Sequence, residues 1–131
     1  MRITADTNVL VRAVVRDDPR QTSVAVELLQ DAHLIALPLP SLCELAWVLT
    51  SVYGFSKAEI ATAIENLIQA ANVEVDKPAA EASLEVLRAG GDFPDGAIAY
   101  AGRWMGGQTF VSFDKKAVAI LAAQGQNARL L

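Results

Sequence analysis

The chain of 131 residues has few of the side chains that build many common functional sites. Its single cysteine, Cys43, cannot form a disulfide within the chain and is typical of a reducing compartment, so we expect a cytoplasmic protein. Its single histidine, His33, leaves no Cys/His set for zinc, and we identify no Ser-His-Asp set in the sequence. A glycine-rich phosphate loop is also absent, because Gly90-Gly91 and Gly106-Gly107 lack the required lysine and spacing.

Long apolar runs are absent as well. A membrane-spanning helix needs roughly 18 or more consecutive apolar residues. The nearest candidate, residues 34–49, contains Pro38, Pro40 and Glu44. Polar residues interrupt the N-terminus where a signal peptide has its apolar core. We therefore expect no membrane association, and one domain over residues 1–131 with a substantial core.

Charge of neither sign dominates the chain. The 15 Asp and Glu residues exceed the 11 Lys and Arg residues, and the net charge of −4 by itself argues against a nucleic-acid partner. The excess of four equals the number of acids in one candidate site, which consists of Asp6, Glu44, Asp95 and Asp114. The acidity can therefore belong to that site alone, and a nucleic-acid partner stays permissible.

Strand and helix patterns alternate along the chain. Short apolar or β-branched runs at residues 1–5, 34–37, 73–75, 109–113 and 128–131 predict strands, and helical periodicity separates them. Pro19 suits the start of the second helix, and Ser56 with Glu59 three residues later predicts a capping box at the start of the fourth. Such alternation favours right-handed βαβ units and a parallel sheet covered by helices on both faces. We therefore predict an α/β fold.

Four carboxylates stand at positions where such a sheet places its ligands. Asp6 follows the first strand, Asp114 follows a late strand, and Asp95 lies at the start of a helix. Helix capping is the simpler explanation for each of these three taken alone. Glu44 differs, because its helix is apolar on nearly every side and Ser41 is the expected cap. A salt bridge to an arginine is the structural alternative for Glu44.

Taken together, these acids predict a metal site. The carboxyl ends of the first and the late strand meet at one edge if the strands are adjacent, and the helix at Asp95 opens onto that edge. Crowded carboxylates raise one another's pKa, and a divalent cation relieves that repulsion. Oxygen ligands of this kind suit Mg²⁺ or Mn²⁺, and one or two such ions promote displacement at phosphorus.

Four motifs occur in a specific order, namely Asp6-Thr7-Asn8-Val9-Leu10, Glu44 in the third helix, Asp92-x-x-Asp95-x-x-Ile98-Ala99, and Ser112-Phe113-Asp114. This set resembles the PIN-domain nucleases, and most closely the VapC-like ribonuclease toxins of bacterial toxin–antitoxin pairs. The resemblance runs from Arg2 to the C-terminal strand. It implies a three-layer α/β/α sandwich with a central parallel sheet, and a Mg²⁺- or Mn²⁺-dependent endoribonuclease.

The resemblance also implies roles for individual residues. The metal-binding and catalytic acids would be Asp6, Glu44, Asp95 and Asp114. The polar residues around the metal would be Thr7, Asn8 and Ser112. Asp92 would be an extra metal ligand or a helix cap. It further implies a homodimer and a cognate VapB-like antitoxin that blocks the acidic pocket. Two departures from the family pattern are Pro94, which suits a first helical turn, and Gly96, where alanine would give a slightly more stable helix.

The mechanism that we expect is hydrolysis of an RNA phosphodiester by metal-activated water. Candidates for contacts with the RNA backbone, each of which is also explained as solvated surface charge, are Arg12, Arg16, Lys115 and Lys116. Trp47 and Trp104 are able to stack on bases, but both lie on apolar helix faces and are expected in the core.

Two other functions remain open at this point. A receiver-like signalling domain is also a small, acidic, Mg²⁺-binding α/β domain, but it needs paired acids after its first strand, where this chain has Asp6-Thr7-Asn8. The other alternative is a PIN fold that has lost its activity and only binds partners. A phosphatase of the haloacid dehalogenase type fits less well, because Asn8 occupies the place of its second aspartate.

Overall fold

The computed structural model describes residues 1–131, which divide into two compact units, Met1–Asp76 and Lys77–Leu131. Each unit combines helices with parallel strands, so the predicted α/β class and the parallel pairing are confirmed. None of the helices has both the length and the apolar character that crossing a membrane requires.

The first unit contains three strands and four helices. Strands β1 (Arg2–Thr4), β2 (Leu34–Ala36) and β3 (Val73–Glu74) form a parallel sheet in the order β1-β2-β3. In its register Ile3 is paired with Ile35, and Ile35 with Val73. The helices are α1 (Thr7–Val14), α2 (Pro19–Asp31), α3 (Leu39–Ser51) and α4 (Lys57–Ile68).

Local sequence signals determine where two of these helices begin. Helix α2 begins at Pro19 as predicted, and the Asp18 carboxylate accepts a hydrogen bond from the backbone N–H of Gln21. Helix α4 begins with the predicted capping box, in which Ser56 and Glu59 each accept a hydrogen bond from the other's backbone N–H. These hydrogen bonds with Ser56 lower the pKa of Glu59 below its usual value.

Helix α3 begins earlier than predicted. Its first residue is Leu39, Pro38 occupies the N-cap position, and no side chain caps the helix. Proline fits the first turn of a helix because its missing N–H has no partner there, so Pro40 is accommodated inside α3. The prediction that Ser41 caps this helix is therefore wrong, since Ser41 already lies within the first turn.

The second unit contains three helices and two strands. Helices α5 (Lys77–Arg88) and α6 (Phe93–Trp104) precede strand β4 (Phe110–Ser112), helix α7 (Lys115–Ala123) and strand β5 (Ala128–Leu130). Strands β4 and β5 are parallel, with Phe110 paired with Ala128. The fully buried side chains of this unit include Ser83, Leu84, Val86, Phe93 and Leu121.

Gly96 is required by the close packing of α5 against α6. A β-carbon at this position would lie 2.6 Å from the α-carbon of Ser83 and 3.0 Å from the carbonyl oxygen of Ala82. Both of these are backbone atoms, so they cannot move aside without shifting α5. The expectation that alanine would suit this position slightly better is wrong, because helix propensity is smaller than the cost of overlapping backbones.

Two glycines of α6 give a matched test of this packing. We expect Gly96→Ala to lower the free energy of unfolding by about 1–3 kcal/mol, as overpacking does. A β-carbon at Gly102 would meet nothing within 4 Å. Gly102→Ala should therefore stabilise the protein by about 0.5–1 kcal/mol through helix propensity. Urea denaturation measures both values, and equal effects of the two substitutions would contradict this explanation.

Candidate metal-binding site

Asp6 occupies the junction between β1 and α1 in the first unit. The backbone N–H of Ala5 still donates to the carbonyl oxygen of Ala36 at 3.1 Å, so the pairing with β2 continues up to this junction. Asp6 is the N-cap of α1, and its Oδ1 accepts a hydrogen bond of 2.8 Å from the backbone N–H of Thr7. The side chain is exposed, and its Oδ2 makes no hydrogen bond. One carboxylate oxygen thus orients the group while the other faces solvent.

Thr7 connects the start of α1 to the start of α3. Its side chain is buried, and its hydroxyl donates a long hydrogen bond of 3.5 Å to the carbonyl oxygen of Ser41. Ser41 precedes Glu44 by three residues, or about one helical turn. The residue after Asp6 therefore contacts the helical turn that precedes Glu44. Asn8, the other polar residue predicted here, is exposed on α1.

Glu44 is a solvent-exposed carboxylate without a structural partner. It forms no ion pair and no hydrogen bond, so the salt-bridge alternative for this residue is wrong. Helix α3 buries Leu42, Leu45, Ala46 and Leu49, which leaves Glu44 on the opposite face. Neither capping nor ion pairing explains a carboxylate at this position.

Asp114 starts α7 in the second unit and is held more firmly than Asp6. Its Oδ1 accepts hydrogen bonds from the backbone N–H groups of Lys116 at 2.9 Å and Ala117 at 3.1 Å. Its own N–H donates to the hydroxyl oxygen of Ser112 at 2.9 Å. Ser112 therefore fixes the turn between β4 and α7. Asp114 is exposed, and its Oδ2 makes no hydrogen bond.

Asp92 and Asp95 lie at the beginning of α6. Asp92 occupies the N-cap position, but its side chain makes no capping hydrogen bond, so capping does not explain its carboxylate. Asp95 is half-buried in the first turn, where the positive end of the helix dipole favours a negative charge. Pro94 also lies in this first turn, as predicted.

The turn that leads into Asp92 packs against α7. A β-carbon at Gly90 would lie 3.8 Å from the Lys116 ammonium nitrogen, and one at Gly91 would lie 2.9 Å from Cδ1 of Ile120. Gly90 has a φ of +97°, which favours glycine. Within this unit, the chain segment that precedes Asp92 is therefore packed against the helix that Asp114 begins.

The four predicted RNA-backbone residues have different surroundings. Arg12 donates from Nη1 to Asp17 at 2.7 Å and from Nη2 to the Tyr53 hydroxyl at 3.0 Å, so its guanidinium connects α1 to neighbouring segments of the first unit. The remaining three are exposed: Arg16, Lys115 and Lys116. Arg12 therefore has a structural function that sequence reasoning missed.

The two tryptophans are exposed, and the prediction that they belong to the core is wrong. Trp47 is 62% exposed and Trp104 is 78% exposed. Helix α3 has more apolar residues than its buried face can take, so Trp47 lies on the same exposed face as Glu44. Phe113, directly before Asp114, is 82% exposed and was not identified as a functional candidate from the sequence.

The potential metal ligands of each unit are carboxylates. The first unit contributes Asp6 and Glu44, and the second contributes Asp92, Asp95 and Asp114. Within each unit taken by itself, no three Asp, Glu, His or Cys side chains are grouped so as to hold a metal ion. The donor chemistry is that of Mg²⁺ and Mn²⁺, because all of these ligands are oxygens.

A comparison with protein-family models decides the family. The PIN domain model matches residues 3–121, a range that extends over both units and includes every predicted acid. The chain belongs to the PIN domain family. PIN domains are generally nucleases that use divalent metals, so membership supports a hydrolase that acts on nucleic acid. The receiver-like alternative receives no support from this match. A search of curated proteins found no significant match.

Two substitutions of Asp114 separate its charge from its capping function. Asparagine retains an oxygen that accepts from the backbone N–H groups and caps helices about as well as aspartate. We expect Asp114→Asn to change the free energy of unfolding by no more than a few tenths of a kcal/mol. Asp114→Ala should lower it by about 1 kcal/mol. Urea denaturation tests both, and equal stability of the alanine variant and the unmodified protein would contradict the capping function.

Proposed function

We propose that this PIN-domain protein is a Mg²⁺- or Mn²⁺-dependent endoribonuclease and the toxin of a VapBC-type toxin–antitoxin pair. The observation that carries the proposal is the state of the acids Asp6, Glu44 and Asp114. All three are exposed, and each has at least one carboxylate oxygen with no hydrogen bond. The free oxygen leaves Asp6 and Asp114 able to bind a metal ion while they cap their helices, and Glu44 has no structural partner at all.

The proposed ligands are Asp6, Glu44, Asp95 and Asp114, and Asp92 is an additional candidate. Their oxygen donors fit one or two hard divalent cations. When bound, such a cation activates water and stabilises the charge that develops at phosphorus. The helix N–H groups that bind Oδ1 of Asp6 and Asp114 orient these carboxylates and reduce the cost of holding them in place.

The polar residues of the site have positioning functions in this proposal. Ser112 fixes the turn that presents Asp114, and Thr7 connects the first turn of α1 to α3. Asn8 is exposed one residue further along α1 and is available to the substrate. The exposed cations Arg16, Lys115 and Lys116 would contact the RNA backbone, which is the sequence-independent part of binding.

We propose partners of two kinds, a second copy of this chain and a VapB-like antitoxin. The first unit has a largely apolar groove of about 630 Å³ between the end of α1 and α4. Its apolar lining residues include Val14, Phe55, Ala58, Ala63 and Leu67. A soluble toxin with such a groove has a surface on which an apolar partner segment can be buried. The single cysteine is consistent with a cytoplasmic location for the pair.

Cleavage of RNA by the purified protein tests the proposed activity. We expect a mixed single-stranded RNA pool to be cut with Mg²⁺ or Mn²⁺ and to stay intact with EDTA. Asp6→Asn and Asp95→Asn should each reduce the rate by more than about 100-fold, since even the outer partners of metal ligands contribute about 10- to 100-fold. The matched control is Asp31→Asn, which removes an exposed acid at the end of α2.

Circular dichroism and urea denaturation establish that the variants remain folded. Unchanged cleavage by folded Asp6→Asn and Asp95→Asn proteins would rule out the assigned site. A folded parent protein that cuts no RNA with either metal would instead favour a PIN domain that only binds partners.

Growth of a bacterial host tests the toxin assignment separately. We expect induced expression of the chain to arrest growth, because cleavage of cellular RNA stops protein synthesis. Expression of Asp6→Asn at the same level should allow growth. Co-expression of a cognate VapB-like antitoxin should restore growth of cells that express the unmodified chain, and the antitoxin should co-purify with it. Normal growth with soluble, nuclease-active protein would contradict the toxin assignment while leaving the nuclease intact.

A further inference from the structure

Exposed aromatic rings lie directly beside candidate acids in both units. In the first unit, Trp47 follows Glu44 by three residues on the exposed face of α3. In the second unit, Phe113 directly precedes Asp114. Aromatic side chains normally bury about 150–250 Å² each, so rings that are 62% and 82% exposed leave a large apolar area in water.

Trp47 is an isolated ring among polar neighbours. Residues three and four apart are adjacent on a helix surface, so the neighbours of Trp47 along α3 are the half-buried Cys43 and the exposed Glu44, Thr50 and Ser51. The Ser51 hydroxyl donates to the carbonyl oxygen of Trp47 at 2.6 Å. A surface that binds another protein has a continuous apolar centre. A single ring bordered by a carboxylate and two hydroxyls is better suited to a flat polar ligand such as a nucleobase.

The position of Phe113 is fixed by the turn that also fixes Asp114. In strand β4, Phe110 and Ser112 are half-buried and Val111 is exposed, and Phe113, directly after the strand, is exposed as well. The hydrogen bonds of Asp114 to Ser112 and to the first N–H groups of α7 hold the backbone on either side of the ring. The ring is therefore presented to solvent next to the carboxylate by an ordered turn.

The positive charge available for binding RNA phosphates is limited in this protein. Binding through phosphates depends on Lys and Arg, yet the net charge is −4 and Arg12 is already paired with Asp17. Stacking of bases on aromatic rings is the other general source of affinity for single strands, and it does not depend on a positive surface. Stacking on the two exposed rings beside the acids can therefore add affinity for single-stranded RNA to that of the phosphate contacts.

We infer that Trp47 and Phe113 are base-stacking residues that hold single-stranded RNA at the candidate acids. This inference rests on the proposed ribonuclease function and assigns to two side chains of this chain the contacts with unstacked bases. Because stacking tolerates every base, these two rings would provide affinity with little sequence preference, and duplex RNA would bind more weakly.

Trp104 provides a matched control within the same chain. It is more exposed than Trp47, but it lies at the C-terminal end of α6, nine residues after Asp95. At 1.5 Å per residue this corresponds to about 13 Å along the helix. If any exposed tryptophan bound RNA, replacing either residue would weaken RNA binding. If the inference is correct, only replacement of Trp47 weakens it.

Binding of a fluorescent 12-nucleotide single-stranded RNA, measured with Mg²⁺ in the Asp95→Asn background, tests the inference without cleavage. We expect Trp47→Leu and Phe113→Leu each to weaken binding by about 5- to 100-fold, the range found when single stacking residues are removed. Trp47→Phe and Phe113→Tyr, which keep a ring, should bind within about three-fold of the parent. Trp104→Leu should have no effect. An abasic RNA of equal length should bind all of these variants equally.

Three results would overturn the inference. The first is unchanged affinity in both leucine variants. The second is an equal loss on abasic RNA, which would indicate structural damage. The third is a dimer that Trp47→Leu converts to monomers with RNA affinity unchanged, which would make Trp47 an interface residue. Failure of the nuclease proposal is a separate result, because the unmodified protein would then cut no RNA, whether or not the rings contribute to binding.

Discussion

The hydrogen bond between a helix-capping carboxylate and the backbone N–H groups of that helix is the interaction on which the rest of this account depends. Each of the strands β1 and β4 is followed directly by a helix. The first backbone N–H groups of a helix have no partner within the helix, so an aspartate that accepts their hydrogen bonds is favoured there. Asp6 and Asp114 both occupy such starts, each bound through Oδ1. Because capping uses only Oδ1, each carboxylate is held in place while its Oδ2 remains free to bind a metal ion. Capping and metal binding are thus compatible functions of the same side chain.

The packing of the fold does not explain why Glu44 and the exposed aromatic rings are present. A core helix rich in apolar residues can bury only one face, and α3 buries Leu42, Leu45, Ala46 and Leu49. What remains in water on the other face is an unpaired carboxylate and a tryptophan that is 62% exposed. Membership of the PIN domain family supports a nuclease, and our two proposals assign a function to each of these residues. The acid would serve the metal, and the ring would serve the substrate.

The sequence predicted features that depend on neighbouring residues and missed those that depend on distant ones. The start of α2 at Pro19, the capping box of α4 and the strand before Asp114 follow from local patterns and were found. The need for Gly96 depends on the backbone of α5, and the pairing of Arg12 with Tyr53 depends on a segment 41 residues away. Exposure of Trp47 depends on which face of α3 is covered, which hydrophobic periodicity alone did not decide.

Calorimetric titration with Mn²⁺ tests the central claim most directly, because it measures ligand function apart from RNA cleavage. We predict that the unmodified protein binds Mn²⁺ and that Asp6→Asn and Asp114→Asn each weaken this binding by about 10-fold or more while stability changes little. Mn²⁺ binding that is absent from the unmodified protein, or unchanged in both asparagine variants, would contradict it. The carboxylates would then be helix caps and nothing more.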